Sequence, residues 1–203
     1  MKLRAIILAG VVGLSCGVAA CSGILNSNQP AERVYWLEPL IVQQAVVTDS
    51  TQPSLVVSVS AAPGLDTDRL LILEAGARLN HYAAARWPDN IPEVLESLLR
   101  TTLESTGRFS RLTRGPISRS MDWALELEIR ELYTLATARR VRMVLSGYLS
   151  CGASDQPIAM QATAGIADDR LSEIVAAYQH ALNEVSRQLV KQLADACNDV
   201  NTG

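Results

Sequence analysis

Few residues in this chain have the type and spacing to do chemistry, and Cys21 leads them. It directly follows Val18-Ala19-Ala20, behind an apolar run from Ala5 to Leu14 that Lys2 and Arg4 open. That run is too short to span a bilayer, which needs roughly 20 apolar residues. A basic start, an apolar middle and small residues at the end instead describe a cleavable signal. A thiol at that boundary is the chain's first candidate for modification. Cys16 competes poorly, because Gly13-Leu14-Ser15 precedes it and it lies against the apolar run. The plain alternative is an ordinary secretory signal with a chance cysteine.

Cys151 and Cys197 lie beyond the signal. In an oxidising envelope compartment they could form one disulfide, from the end of a predicted strand to the last turn of a terminal helix. Sequence does not fix the geometry such a bond needs, so two buried thiols packing as small hydrophobes stay equally open. Their spacing does not suit a metal, and only His81 and His180 could help.

Other constellations are sparse. Neither a phosphate-binding glycine loop nor a G-x-S-x-G elbow occurs. His81 follows Asn80 on a predicted hairpin, and a lone histidine there is more readily packed or solvated than part of a triad. His180 falls on the polar side of the last helix. Glu126, Glu128 and Arg130 share one strand face, the pattern of a solvated cross-strand charge array. Arg139, Arg140 and Arg142 read as a patch beside that acidic strand, or as a site for anionic headgroups or an acidic partner. Trp36, Tyr82 and Trp87 stand near strand ends or turns, where core packing is the usual reason for an aromatic and an exposed one could anchor an interface. No catalytic residue emerges, and the expectation is a protein that is not an enzyme, with no cofactor.

The elements that position these residues follow from periodicity. Residues 22–32 read as a polar tether. Val34 to Leu37 predict a strand, and residues 43–53 a polar connection. Leu55 to Ser60 alternate as a strand. Leu70 to Leu73 and Ala77 to Tyr82 flank Glu74-Ala75-Gly76 as a hairpin. Asp89 or Asn90 can cap a helix that Pro92 joins in its first turn. That helix carries Ile91, Val94, Leu95, Leu98, Leu99 and Leu103 on one stripe and ends at Gly107. Arg108 to Arg114 predict a short strand. Trp123, Leu125, Leu127 and Ile129 alternate with polar residues, and the slip at Glu131-Leu132 predicts a bulge or a strand end. Val141 to Leu149 and, more weakly, Pro157 to Ile166 add strands. A long terminal helix follows Asp168-Asp169, with Leu171, Ile174, Val175, Tyr178, Leu182, Val185, Leu189 and Leu193 as its stripe. The order predicts an α+β fold: a mainly antiparallel sheet with two amphipathic helices packed on one face.

Removing residues 1–20 leaves 183 residues, one domain's worth, with 16 basic against 21 acidic side chains and a net charge of −5. That balance speaks against nucleic acid, which calls for a clustered basic excess. No second stretch is apolar enough for a transmembrane helix, so the membrane contact expected is through a modified Cys21.

The spacing at Cys21 resembles the lipobox of bacterial lipoproteins, which implies lipid attachment at Cys21 and cleavage between Ala20 and Cys21, with the diacylated thiol as the first residue of the mature chain. Ser22-Gly23 follows, with no aspartate, and by analogy with Gram-negative sorting this implies the outer membrane rather than inner-membrane retention. Val34-Tyr35-Trp36-Leu37 after the tether is similar to the Tyr-x-Leu opening of ABC-type transport auxiliary lipoproteins, the PqiC-like family. Pro63-Gly64-Leu65-Asp66 and Tyr82-Ala83-Ala84-Ala85-Arg86-Trp87 before the helix resemble its central signature. The resemblance implies residues 1–20 as signal, 21–32 as tether, 33–197 as the auxiliary domain and 198–203 as a tail. It further implies a periplasm-facing lipoprotein serving an MCE-type ABC system that moves phospholipid or other hydrophobic compounds, with an MCE-domain protein as partner. Tyr35, Leu37, Tyr82, Arg86 and Trp87 transfer as motif positions. A bridge between Cys151 and Cys197 departs from the family pattern. A structural or assembly lipoprotein of the pilotin type is the alternative, and a homo-oligomer stays open.

Overall fold

Two long strands, β6 (Trp123–Leu135) and β7 (Arg140–Cys151), form the spine of the sheet. The computed structural model describes residues 31–42, 52–115, 122–152 and 154–200, with side chains in the last helix described to Ala196. β7 pairs antiparallel with β6 on one side and with β8 (Ser154–Gly165) on the other. The opposite edge of β6 is shared. β2 (Ser54–Ala61) runs parallel along its first half, and β3 (Arg69–Glu74) runs parallel along its end. β5 (Arg111–Arg114) lies parallel to β2, while β4 (Arg78–Arg86) pairs antiparallel with β3 and parallel with β1 (Arg33–Val34).

Four of these seven pairings are parallel, so the sheet is mixed and not mainly antiparallel. The antiparallel pairs join strands consecutive in sequence, where a turn announces the pairing. The parallel pair β2–β6 closes only after β3, β4, a helix and β5 have intervened. Its trace in the sequence is the uninterrupted run Leu55-Val56-Val57, all three buried, as parallel strands covered on both faces require.

The slip near Glu131 is a bulge. Ile129 pairs with Leu145 and Glu131 with Val144, which leaves Arg130 as the extra residue. The bulge reverses the alternation, so Leu132 and Thr134 take over the buried face from Ile129. Further along the same pair, Gly147 lies opposite Leu127, and a Cβ there would stand 1.8 Å from the Glu126 carbonyl oxygen. Only glycine allows the strands to approach so closely.

Both helices press on one core. α1 (Ile91–Ser105) packs against β2, and α2 (Leu171–Val200) against β7 and β8. The predicted stripes are buried at Ile91, Leu95, Leu98, Leu99 and Leu103, and at Ile174, Tyr178, Leu182, Val185, Leu189 and Leu193. The expected side-chain cap of α1 is absent: the Asn90 N–H donates to Asp89 Oδ1 at 2.8 Å, and the Ile91 N–H to the Thr67 carbonyl at 3.1 Å. Loop backbone thus satisfies the first orphan amide of the helix. The strand predicted over Val34 to Leu37 pairs regularly only through Val34.

Candidate functional site

Past β1 the chain becomes a strap over the helix layer. The Tyr35 N–H still donates to the Arg86 carbonyl at 2.9 Å, and Leu37 is wholly buried in the core. At Glu38 the backbone is held on both sides of one residue. Its N–H donates to Gln179 Oε1 at 2.8 Å, and its carbonyl accepts from Gln179 Nε2 at 2.9 Å. The Val42 N–H then reaches Ser105 Oγ at 2.9 Å, at the last turn of α1. The strap is therefore tied to both helices, with Leu37 as its plug. Trp36 points the other way and is 68 % exposed.

The motif residues converge on α2. Between Arg69 and Leu71 the β3–β4 register slips, and within the extra length of β4 Ala84 adopts φ 54°. The slip lets Tyr82 and Trp87, five residues apart, both turn toward the core. Trp87 meets Tyr178 edge to face, with centroids 5.2 Å apart, and the Tyr178 hydroxyl donates to the Leu71 carbonyl at 3.0 Å. Tyr82 stands beside Thr134 in a cleft of about 200 Å³ that Ile72, Ile166 and Ile174 also line. Burial pushes both the Tyr82 and the Tyr178 phenols above their ordinary pKa.

Arg86, the remaining motif residue, joins a four-membered ion cluster at the entrance of the domain. It lies 3.4 Å from Glu32 and 3.5 Å from Asp68, and Arg69 reaches the same two carboxylates at 2.6 and 3.6 Å. The Glu32 hydrogen bond holds the Arg69 guanidinium above its ordinary value. The Trp87 N–H donates to the Asp68 carbonyl at 2.7 Å, so the cluster and the aromatic pair share one loop. Of the motif residues, Tyr35 and Arg86 are thus joined through their backbones, Leu37 and Trp87 are buried in the core, and Trp87 and Tyr82 face α2 at Tyr178 and Ile174.

Sequence reasoning missed the glutamines of α2. Gln188 exchanges two bonds with the backbone of Gln161, both 3.0 Å, and Gln192 does the same with Ala159 at 3.4 and 2.8 Å. A primary amide has a donor and an acceptor side by side, as a peptide group does, so these side chains replace the missing neighbour of edge strand β8. Gln179 and Gln188 lie nine residues apart, on opposite flanks of the helix, one facing the strap and the other β8.

Several of the charged residues singled out above form local pairs. Arg142 reaches Glu131 at 2.5 Å, Arg139 reaches Asp169 at 3.3 Å, and Arg130 reaches Glu128 at 2.7 Å. The Arg142 hydrogen bond holds the Glu131 carboxyl below its ordinary value, while burial and that carboxylate push Tyr133 up to about 12. His81 is exposed opposite Leu71, and His180 is exposed on α2. Cys151 is buried at the end of β7. The side chain of Cys197, like Ala20 and Cys21, lies outside the described residues. Among the described residues no three His, Cys, Asp or Glu side chains gather as a metal site, and no helix is long and apolar enough to cross a membrane.

This arrangement has solved counterparts. The crystal structure of protein XCC0632 from Xanthomonas campestris superposes with a TM-score of 0.68 at 16 % identity, covering 84 % of this chain and all 100 % of that one. A second crystal structure, of an uncharacterized protein, gives 0.65 at 13 % identity over 81 % of this chain and 99 % of its own. At such identities these share the fold alone. No curated protein sequence matches. The family model for the ABC-type transport auxiliary lipoprotein component matches residues 35–190, from the first motif tyrosine into the second half of α2. The chain belongs to that family, and its role is that of an auxiliary component of an ABC transport system.

Proposed function

We propose that this chain is an outer-membrane lipoprotein, anchored through acylated Cys21, whose periplasmic domain docks an MCE-domain protein of an ABC system. The system would move phospholipid or another hydrophobic compound across the envelope. The domain itself catalyses nothing, and the energy comes from the distant ATPase. The observation that carries this reading is the family match over residues 35–190 behind a cysteine placed for lipid attachment. Several acyl chains on one thiol hold a protein on a membrane stably, where one chain holds it marginally. The ion pairs that balance nearly every charged cluster described above fit a scaffold better than a titrating site.

Cross-linking in intact cells followed by affinity purification tests the partner. An MCE-domain protein recovered with the chain supports the reading. A secretin or an outer-membrane barrel protein in its place would assign the domain to the assembly class.

A further inference from the structure

Exposed apolar side chains in this domain are concentrated where the chain enters it. Among the described residues five large apolar side chains are exposed, and three of them lie on β1 and the strap: Val34 at 52 %, Trp36 at 68 % and Ile41 at 58 %. Their neighbour Leu37 is buried and Glu38 is clasped by Gln179, so the outward direction of the apolar side chains is fixed by the fold. Beneath Trp36 opens a groove of about 330 Å³ floored by Leu37, Pro88, Val94 and Leu98. Its rim carries both signs of charge, Arg114 on one side and Asp89 and Glu93 on the other. One Glu93 carboxylate oxygen, Oε2, is buried there with no hydrogen-bond partner.

We propose that this strap face is the surface on which the domain sits in the headgroup layer of the membrane that holds its anchor. The inference rests on the anchored-lipoprotein reading above. Cys21 precedes Arg33 by twelve residues, a span of about 40 Å even when fully extended. β1 and the strap are the first described segments after the anchor cysteine. Tryptophan is the side chain most at home at a bilayer surface, with an apolar body and one N–H donor. Exposed large apolar side chains gathered along one short segment of a folded domain mark a contact surface. A rim of mixed charge around an apolar floor matches a zwitterionic phospholipid: Arg114, 61 % exposed although its Nε pairs with Glu96 at 2.7 Å, faces phosphate, and the exposed Asp89 carboxylate accepts from the ammonium of an ethanolamine headgroup. A net charge of −5 makes a purely electrostatic attachment to anionic lipid the weaker contribution.

The test uses intrinsic fluorescence, because Trp87 and Trp123 are buried and Trp36 alone among the three tryptophans is exposed. The full-length mature protein, its acylation verified by mass, is reconstituted into vesicles of phosphatidylethanolamine and phosphatidylglycerol with bromine-labelled acyl chains. Expected are a blue-shifted emission and quenching relative to unlabelled vesicles, both lost in Trp36→Gln, a substitution at an exposed position that leaves the core intact. Acylated protein whose emission is unchanged by the bromine label overturns the proposal and leaves the anchor standing. A Trp36 blue shift that appears without lipid and follows protein concentration overturns it in favour of a second copy on this face. An unacylated mature chain removes the anchor reading and the proposal with it.

Discussion

The indole of Trp87 stands edge-on to the phenol ring of Tyr178, with planes at 80° and centroids 5.2 Å apart. One ring ends the β4 motif and the other sits in the first third of α2, so this pair joins the two halves of the chain. The Tyr178 hydroxyl adds a bond to the Leu71 carbonyl on β3. Trp87→Ala should cost about 3–5 kcal/mol, as truncation of a fully buried aromatic does. Tyr178→Phe should cost about 1 kcal/mol, the net worth of one hydrogen bond. Urea unfolding of both variants checks the order. Equal losses would mean that the rings do not carry the junction.

Gln188 and Gln192 should protect β8 from pairing with other chains. Replacing both with alanine leaves the Ala159 and Gln161 backbone groups to water, and we expect a loss of about 1–3 kcal/mol. Self-association should rise with it, since an open edge templates pairing. Sedimentation of the double variant reads this directly. A monomer of unchanged stability would show that these amides do not substitute for a strand.

Backbone conformation gives two contrasting substitutions. Ala84 has φ 54°, a region that β-branched residues avoid, and Ala84→Val should cost about 1–3 kcal/mol. Ala84→Gly should be tolerated. Gly147→Ala forces its Cβ against the Glu126 carbonyl, and we expect about 3 kcal/mol or more, or failure to fold. Thermal melts of the three variants rank them.

Much of this architecture was legible beforehand, for physical reasons that can be named. Trp123, Leu125, Leu127 and Ile129 announce a half-buried strand because side chains alternate across a sheet. The break at Glu131 announces the bulge because an extra residue must disturb that alternation. The helix stripes and the hairpin at Glu74-Ala75-Gly76 are equally local. The β2–β6 pairing was not legible, since parallel partners meet through a long crossover that leaves no turn signal between them. Nor were the glutamine clasps: Gln179 binds a backbone 141 positions away, and an amide directed at a main chain has no sequence period. The motif residues were visible as a pattern, but their joint purpose depended on the slip at Ala84.

Two titrating groups on β6 set opposite limbs of a pH profile. Tyr133 donates to Glu131 and is raised to about 12 from an ordinary 10, so the folded state keeps its proton where the unfolded state loses it. Its contribution is complete below pH 10 and is lost as pH rises through about 12. Burial raises Tyr82 and Tyr178 in the same direction. Glu131 is depressed by Arg142, so its contribution is complete above its ordinary 4.5 and is lost as pH falls through the lowered value. Urea midpoints across pH should fall at both ends, and Tyr133→Phe should flatten the alkaline limb. An alkaline limb unchanged in that variant would contradict the assignment.

The thiol at position 21 remains the hinge of the functional account, because it decides where the domain works. The most direct measurement is the intact mass of the mature protein extracted from membranes. The account predicts a chain that begins at Cys21 and carries fatty acyl groups, with Cys21→Ser shifting the domain to the soluble fraction. A mature chain with an unmodified Cys21, or one found wholly in the soluble fraction, would contradict it.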